Sequence, residues 1–159
     1  MSYLGKSFLG VTLSMGILAT GFSVAQPAIS LKQAQHVTKL RQSVFKLLGS
    51  RMGALAAMTK GKIPFDVKEI ENRAVHINQL SMMIADYSRI DTSKFDVKTE
   101  ALAKVWLESA HYNKDIKKLT LASEKLITAA KANDEVAIKK AIRRVGKTCG
   151  GCHHHFKAE

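Results

Sequence analysis

Cysteine is nearly absent from this chain: 159 residues hold two, Cys149 and Cys152, so one disulfide is the most they can form. Acidic residues are missing from the first 65 positions, Asp66 being the first, and the whole chain carries a formal charge of +12. Such a surplus admits nucleic acid, an anionic membrane or an acidic partner protein. The lysines, however, are scattered over every segment (Lys32, Lys39, Lys46, Lys104, Lys117, Lys118, Lys139, Lys140), as on solvated helix faces, and no aromatic residues interleave with a basic patch. That pattern argues against nucleic acid and leaves an acidic redox partner as the expected protein contact. Strand signals, internal repeats and low-complexity tracts are also lacking.

A long hydrophobic run is missing too. The apolar stretch from Phe8 to about Val24 is interrupted by Thr12, Ser14, Gly16, Thr20 and Gly21. It is short for a membrane span, which takes ~20 strongly apolar residues. Lys6 precedes it, and Ser23-Val24-Ala25 follows as a small-x-Ala cleavage pattern. Residues 1–25 therefore read as a cleaved secretory signal, and 26–159 as one domain with no membrane segment in the mature form.

Both cysteines fall in Cys149-Gly150-Gly151-Cys152-His153, near the C-terminus. Cys-x-x-Cys-His is the attachment pattern of a c-type haem. Two thiols add across the vinyl groups as thioethers, and the imidazole Nε2 ligates iron. On a helix these positions are i, i+3 and i+4, so the three side chains share one face. A redox dithiol uses the same Cys-x-x-Cys but opens a helix beside a βαβ sheet, whereas this motif ends a helical chain. A zinc site would need Cys149, Cys152 and two of His153, His154 and His155. Neighbours on a helix point about 100° apart, so His154 and His155 read as solvated neighbours of a single ligand, His153. Covalent attachment takes place outside the cytoplasm, which agrees with export and makes the bacterial periplasm the expected compartment.

Helical periodicity organises the rest. The first helix is expected from about Leu31 to Thr59 on Val37, Leu40, Val44, Leu47, Leu48, Leu55 and Met58, with Gly61 and Pro64 stopping it. The second opens at Asp66-Val67-Lys68-Glu69, a capping-box-like start with Phe65 set to pack on Ile70, and runs to about Tyr87. A polar loop covers 88–96. A third helix is expected from about Thr99 to Lys131, and a fourth, capped by Asn133 or Asp134, from Glu135 to about His155. Short connections between four helices favour an all-α, antiparallel up-down four-helix bundle.

The mature chain resembles the cytochrome c′ family, the four-helix class II cytochromes c. The likeness is carried by Lys39-Leu40-Arg41-Gln42-Ser43, Met58-Thr59-Lys60-Gly61, Pro64-Phe65-Asp66, Val105-Trp106 and Val145-Gly146-Lys147-Thr148-Cys149 leading into the attachment motif. The resemblance implies one covalent haem c. It implies Arg41, beside Gln42, as partner of a haem propionate, and Trp106 as a core aromatic near the haem edge. In the family, the residue four positions after that arginine faces the iron opposite the haem histidine, and low-spin electron carriers place methionine there. Here it is Phe45, which has no lone pair to donate. Met52, seven residues further, is displaced by ~10 Å of helix rise.

The resemblance thus implies a five-coordinate, high-spin iron under an apolar ring. Such a site favours nitric oxide and carbon monoxide, whereas dioxygen wants a hydrogen-bond donor. The basic residue that the family places four positions after the haem histidine is Lys157, expected on the same helix face as His153 and able to donate to a ligand on that side. Gly49, Gly53 and Ala57 recur every four positions and are expected to allow close helix approach, within the bundle or at the homodimer contact the family makes through its first two helices. The expected function is gas binding in nitric oxide scavenging, by a binding protein rather than an enzyme with turnover; the alternative is a six-coordinate, low-spin one-electron carrier in periplasmic electron transport.

Overall fold

A computed structural model describes residues 25–159; the expected export segment lies outside the described residues, apart from Ala25. Two two-residue strands, β1 (Gln26–Pro27) and β2 (Ile90–Asp91), pair in parallel and tie the start of the domain to the loop after the second helix. Five helices make up the rest. They are α1 (Leu31–Thr59), α2 (Val67–Tyr87), α3 (Lys104–Leu107), α4 (Ser109–Lys131) and α5 (Glu135–Phe156).

Local chemistry sets most boundaries. Ser30 caps α1 by accepting from the Gln33 N–H, while the Gln33 side chain accepts from Ile29 N–H. Helix α1 ends in a Schellman motif: Gly61 sits at φ 67°, Gly61 N–H donates to Met58 O, and Lys62 N–H donates to Ala57 O. Asp66 caps α2, with Phe65 packed against the core as a staple. At the end of α4 the same Schellman pattern recurs around Asn133, at φ 52°. Asn133 thus terminates α4, and Asp134 opens α5 by accepting from Ala137 N–H at 2.9 Å.

The long helices α1, α2, α4 and α5 form the four-helix bundle. Leu55, Ile70, Ile77, Leu126, Ile138, Ile142 and Val145 are almost completely buried in its core, each worth ~1.5–3 kcal/mol of apolar transfer. Between α2 and α4 runs a polar seam, in which Asn78 donates to Thr120 O and Ser123 Oγ, and Ser81 and Thr120 share a hydrogen bond. Because these buried groups are satisfied by one another, the two helices approach closely at little cost. Helices α1 and α5, by contrast, touch at few points and enclose a cavity.

The third expected helix is the one that differs. Residues 99–103 are not helical, because their backbone pairs with the chain end: Leu102 N–H donates to Phe156 O at 3.0 Å and Ala158 N–H to Glu100 O at 2.7 Å. At Glu108 (φ −116°, ψ 40°) the chain bends between α3 and α4. The bend lets Val105 and Trp106 bury, while Leu107 points to solvent.

Candidate haem site

The cavity between α1 and α5 has a volume of about 1380 Å³. That exceeds the ~300–1,000 Å³ of an ordinary small-ligand pocket. Its wall brings together Arg41, Gln42, Phe45, Cys149, Cys152, His153 and Lys157, seven side chains from the two ends of the chain. Helix α5 continues through the motif to Phe156, so Cys149, Cys152 and His153 do lie on one helical face.

The two thiols are not joined. Burial raises the pKa of Cys149, and burial reinforced by Asp115 pushes Cys152 up to about 11. A working dithiol needs the opposite, a depressed pKa and a thiolate; these are neutral thiols in an apolar wall, suited to becoming uncharged thioethers. Burial, with Lys157 adding to it, lowers the pKa of His153, which favours the neutral imidazole that has a lone pair for a metal.

Arg41 shows what the cavity lacks. The residue is 3% exposed, and its guanidinium Nη2 donates to the hydroxyls of Thr38 and Thr92, at 3.5 and 3.4 Å. Nη1 has no hydrogen-bond partner among the described residues. A buried cation without a carboxylate is costly, and a propionate arriving in the cavity would complete it. Gln42 donates to Lys98 O at 2.9 Å and so fastens the loop 96–101, which closes one side of the cavity. The donor set, the orphaned guanidinium nitrogen and the volume all fit haem c.

Register follows from one contact. The Cε of Met52 lies 3.7 Å from where a Cβ on Gly146 would stand. Helices α1 and α5 run antiparallel, so stepping seven residues back from Met52 and seven forward from Gly146, ~10 Å along each axis, reaches Phe45 and His153. The two therefore face the cavity at one height, and Met52 sits about two turns away. Gly49 and Gly53 line the same wall, and a Cβ at either would meet nothing within 4 Å. Within the bundle, then, these glycines do not serve close helix packing as expected; they leave room in the cavity.

Trp106 is a buried core aromatic, as expected; it lies outside the cavity wall with the Arg41 guanidinium carbon 5.1 Å from its ring, and donates to Ser88 O. Two further placements differ from expectation. Lys157 is not on the helix face of His153, because the chain becomes extended there (φ −117°, ψ 137°) to pair with Ala101, and its Nζ meets Glu100 at 3.1 Å. His155 is not a solvated neighbour: it hydrogen-bonds Glu108. Unforeseen from the sequence are the loop 96–101 and Tyr112, whose buried phenol line the cavity. Sequence separation hid them, since only the pairing of 100–102 with the chain end brings the loop to the site.

The profile of the family Cytochrome C' matches residues 36–157. Cytochrome c' of Rubrivivax gelatinosus is 36% identical over 117 residues, 74% of this chain and 90% of that protein. The solved cytochrome c prime of Shewanella frigidimarina superposes with a TM-score of 0.72 at 32% identity, covering 83% of this chain and 99% of that one. A ferrous variant of cytochrome c prime from Alcaligenes xylosoxidans, solved with bound NO, has a TM-score of 0.71 at 24% identity and covers 83% of this chain and 98% of that one. With a profile match over most of its length and a relative above 30% identity, this chain belongs to the cytochrome c′ family, whose cofactor is haem c.

Proposed function

We propose that this protein is a periplasmic gas-binding cytochrome that captures nitric oxide, and binds carbon monoxide, in defence against nitric oxide. It acts as a binding protein rather than an enzyme with turnover. Haem c, when bound, supplies an iron with one face free for a diatomic ligand. Cys149 and Cys152 tether it, His153 ligates it, and Arg41 holds a propionate. The observation that supports the reading is that Phe45 and His153 line one cavity, with Met52, seven residues after Phe45, reaching toward Gly146, seven residues before His153.

Phe45 offers iron neither sulfur nor nitrogen, and its ring supplies no hydrogen-bond donor to a bound gas. Dioxygen, which gains negative charge on binding, is left unsupported, while nitric oxide and carbon monoxide depend on such a donor far less. The related protein solved with bound NO supports the same ligand class. Compartment rests on the export pattern of residues 1–25, with cleavage near Ala25. Among the described residues no helix is long and apolar enough to cross a membrane. The charge of +12 favours an acidic protein as reductant. Exposed Leu40 and Leu47 on α1 and Met82 and Met83 on α2 suit a homodimer contact through those helices.

The test is an anaerobic titration of the ferrous holoprotein with each gas. Nitric oxide and carbon monoxide are expected to shift the Soret band at near-stoichiometric addition, and dioxygen to form no stable adduct. Failure of carbon monoxide to bind would mean a sixth protein ligand, and the electron-carrier reading would replace this one.

A further inference from the structure

Glu108, His111 and His155 meet on the outer side of α4 and α5, and none of the three lines the haem cavity. Each offers one ligand atom, and these atoms all lie within 4.8 Å of one another. Glu108 stands at the bend that opens α4 and His111 follows at i+3, so both project from one helix face. His155 arrives from the last turn of α5. The Glu108 Oε2 lies 2.5 Å from His155 Nε2 and 3.6 Å from His111 Nδ1.

We propose that Glu108, His111 and His155 form a binding site for a divalent transition-metal ion, represented by zinc, separate from the haem iron. Three protein ligands of the His₂Glu type with a fourth position for water are an established zinc arrangement. Bonds of ~2.0–2.2 Å in a tetrahedron put donor atoms about 3.3–3.5 Å apart. The Glu108–His111 separation already matches, and the Glu108–His155 pair opens by about 1 Å when the shared proton is replaced by a metal.

Two surroundings favour a metal over a plain hydrogen bond. The far nitrogen of His111, Nε2, faces Asp115 Oδ2 at 3.6 Å, and Asp115 is itself held by Lys118. A carboxylate behind a ligating imidazole is the usual outer partner that fixes ring orientation. A cavity of about 470 Å³ borders His111 and His155 and admits the fourth ligand. Two imidazoles in a strongly basic molecule suit zinc, copper or nickel and not the hard, oxygen-seeking calcium or magnesium. The ion would clamp the start of α4 to the last turn of α5.

Tag-free holoprotein titrated with zinc chloride by calorimetry, with metal analysis after dialysis, tests the site. One zinc per haem is expected, together with a raised melting temperature. Both are expected to be lost in His111→Ala and in His155→Ala but kept in His154→Ala, with the haem spectrum intact in all three. His111 and His155 are partly exposed, so neither change empties the core. Zinc binding that survives His111→Ala, or no binding by the unaltered protein, overturns the proposal. Neither outcome touches the gas-binding reading, which depends on the other face of α5.

Discussion

Phe45→Met is expected to turn the ferrous spectrum from broad, unsplit visible bands to sharp, split ones. Phe45 of α1 and His153 of α5 both line the cavity, and on the proposed register a thioether at position 45 would reach the iron of a bound haem opposite the imidazole. Methionine sulfur is an iron ligand; hydrocarbon is not. Once sulfur is bound, an entering gas must displace it. Carbon monoxide affinity is then expected to fall at least about tenfold, which needs only ~1.4 kcal/mol of sulfur–iron bonding. Phe45→Leu separates this from a simple change of shape, since leucine also lacks a donor atom: the broad bands should persist and ligand entry should quicken. Met52→Leu should leave the spectrum unchanged. Split bands in the unaltered protein that vanish with Met52→Leu would show that the register drawn here is wrong.

The second large effect concerns attachment. Double replacement Cys149→Ser with Cys152→Ser is expected to release all pigment on acid–acetone extraction, whereas the unaltered protein keeps it. Serine oxygen forms no thioether with a vinyl group. Cofactor binding then becomes a mass-action equilibrium that dilution pulls apart. Either single replacement leaves one thioether and should retain pigment. The neutral, buried thiols predict the complementary behaviour of the protein freed of haem, namely slow alkylation at neutral pH, as expected for a group raised to about 11 like Cys152. Complete extraction of pigment from the unaltered protein would sink the covalent assignment.

Much of this was legible in the residues alone. Gly61, Asp66 and Asp134 sit where stops and caps belong, so the end of α1 and the starts of α2 and α5 followed from local chemistry. The attachment motif was legible because its spacing is itself a helical face. What escaped depends on contacts distant in sequence. The periodicity through 99–103 reads as helix, yet Leu102 N–H donates to Phe156 O and Glu100 O accepts from Ala158 N–H instead. That same pairing draws Lys157 off the helix, and the bend at Glu108 brings a carboxylate to His155. Gly49 and Gly53 illustrate a different limit: a small residue signals missing volume, but only the structure says whether a helix or a cavity fills it.

The central claim is that Phe45, and no donor atom, covers the iron face opposite His153. An absorption spectrum of the dithionite-reduced, purified holoprotein tests it most directly. A broad, shouldered Soret band over unsplit visible absorption is the predicted result; a sharp Soret band with split visible bands, the mark of a bound sixth ligand, would contradict it.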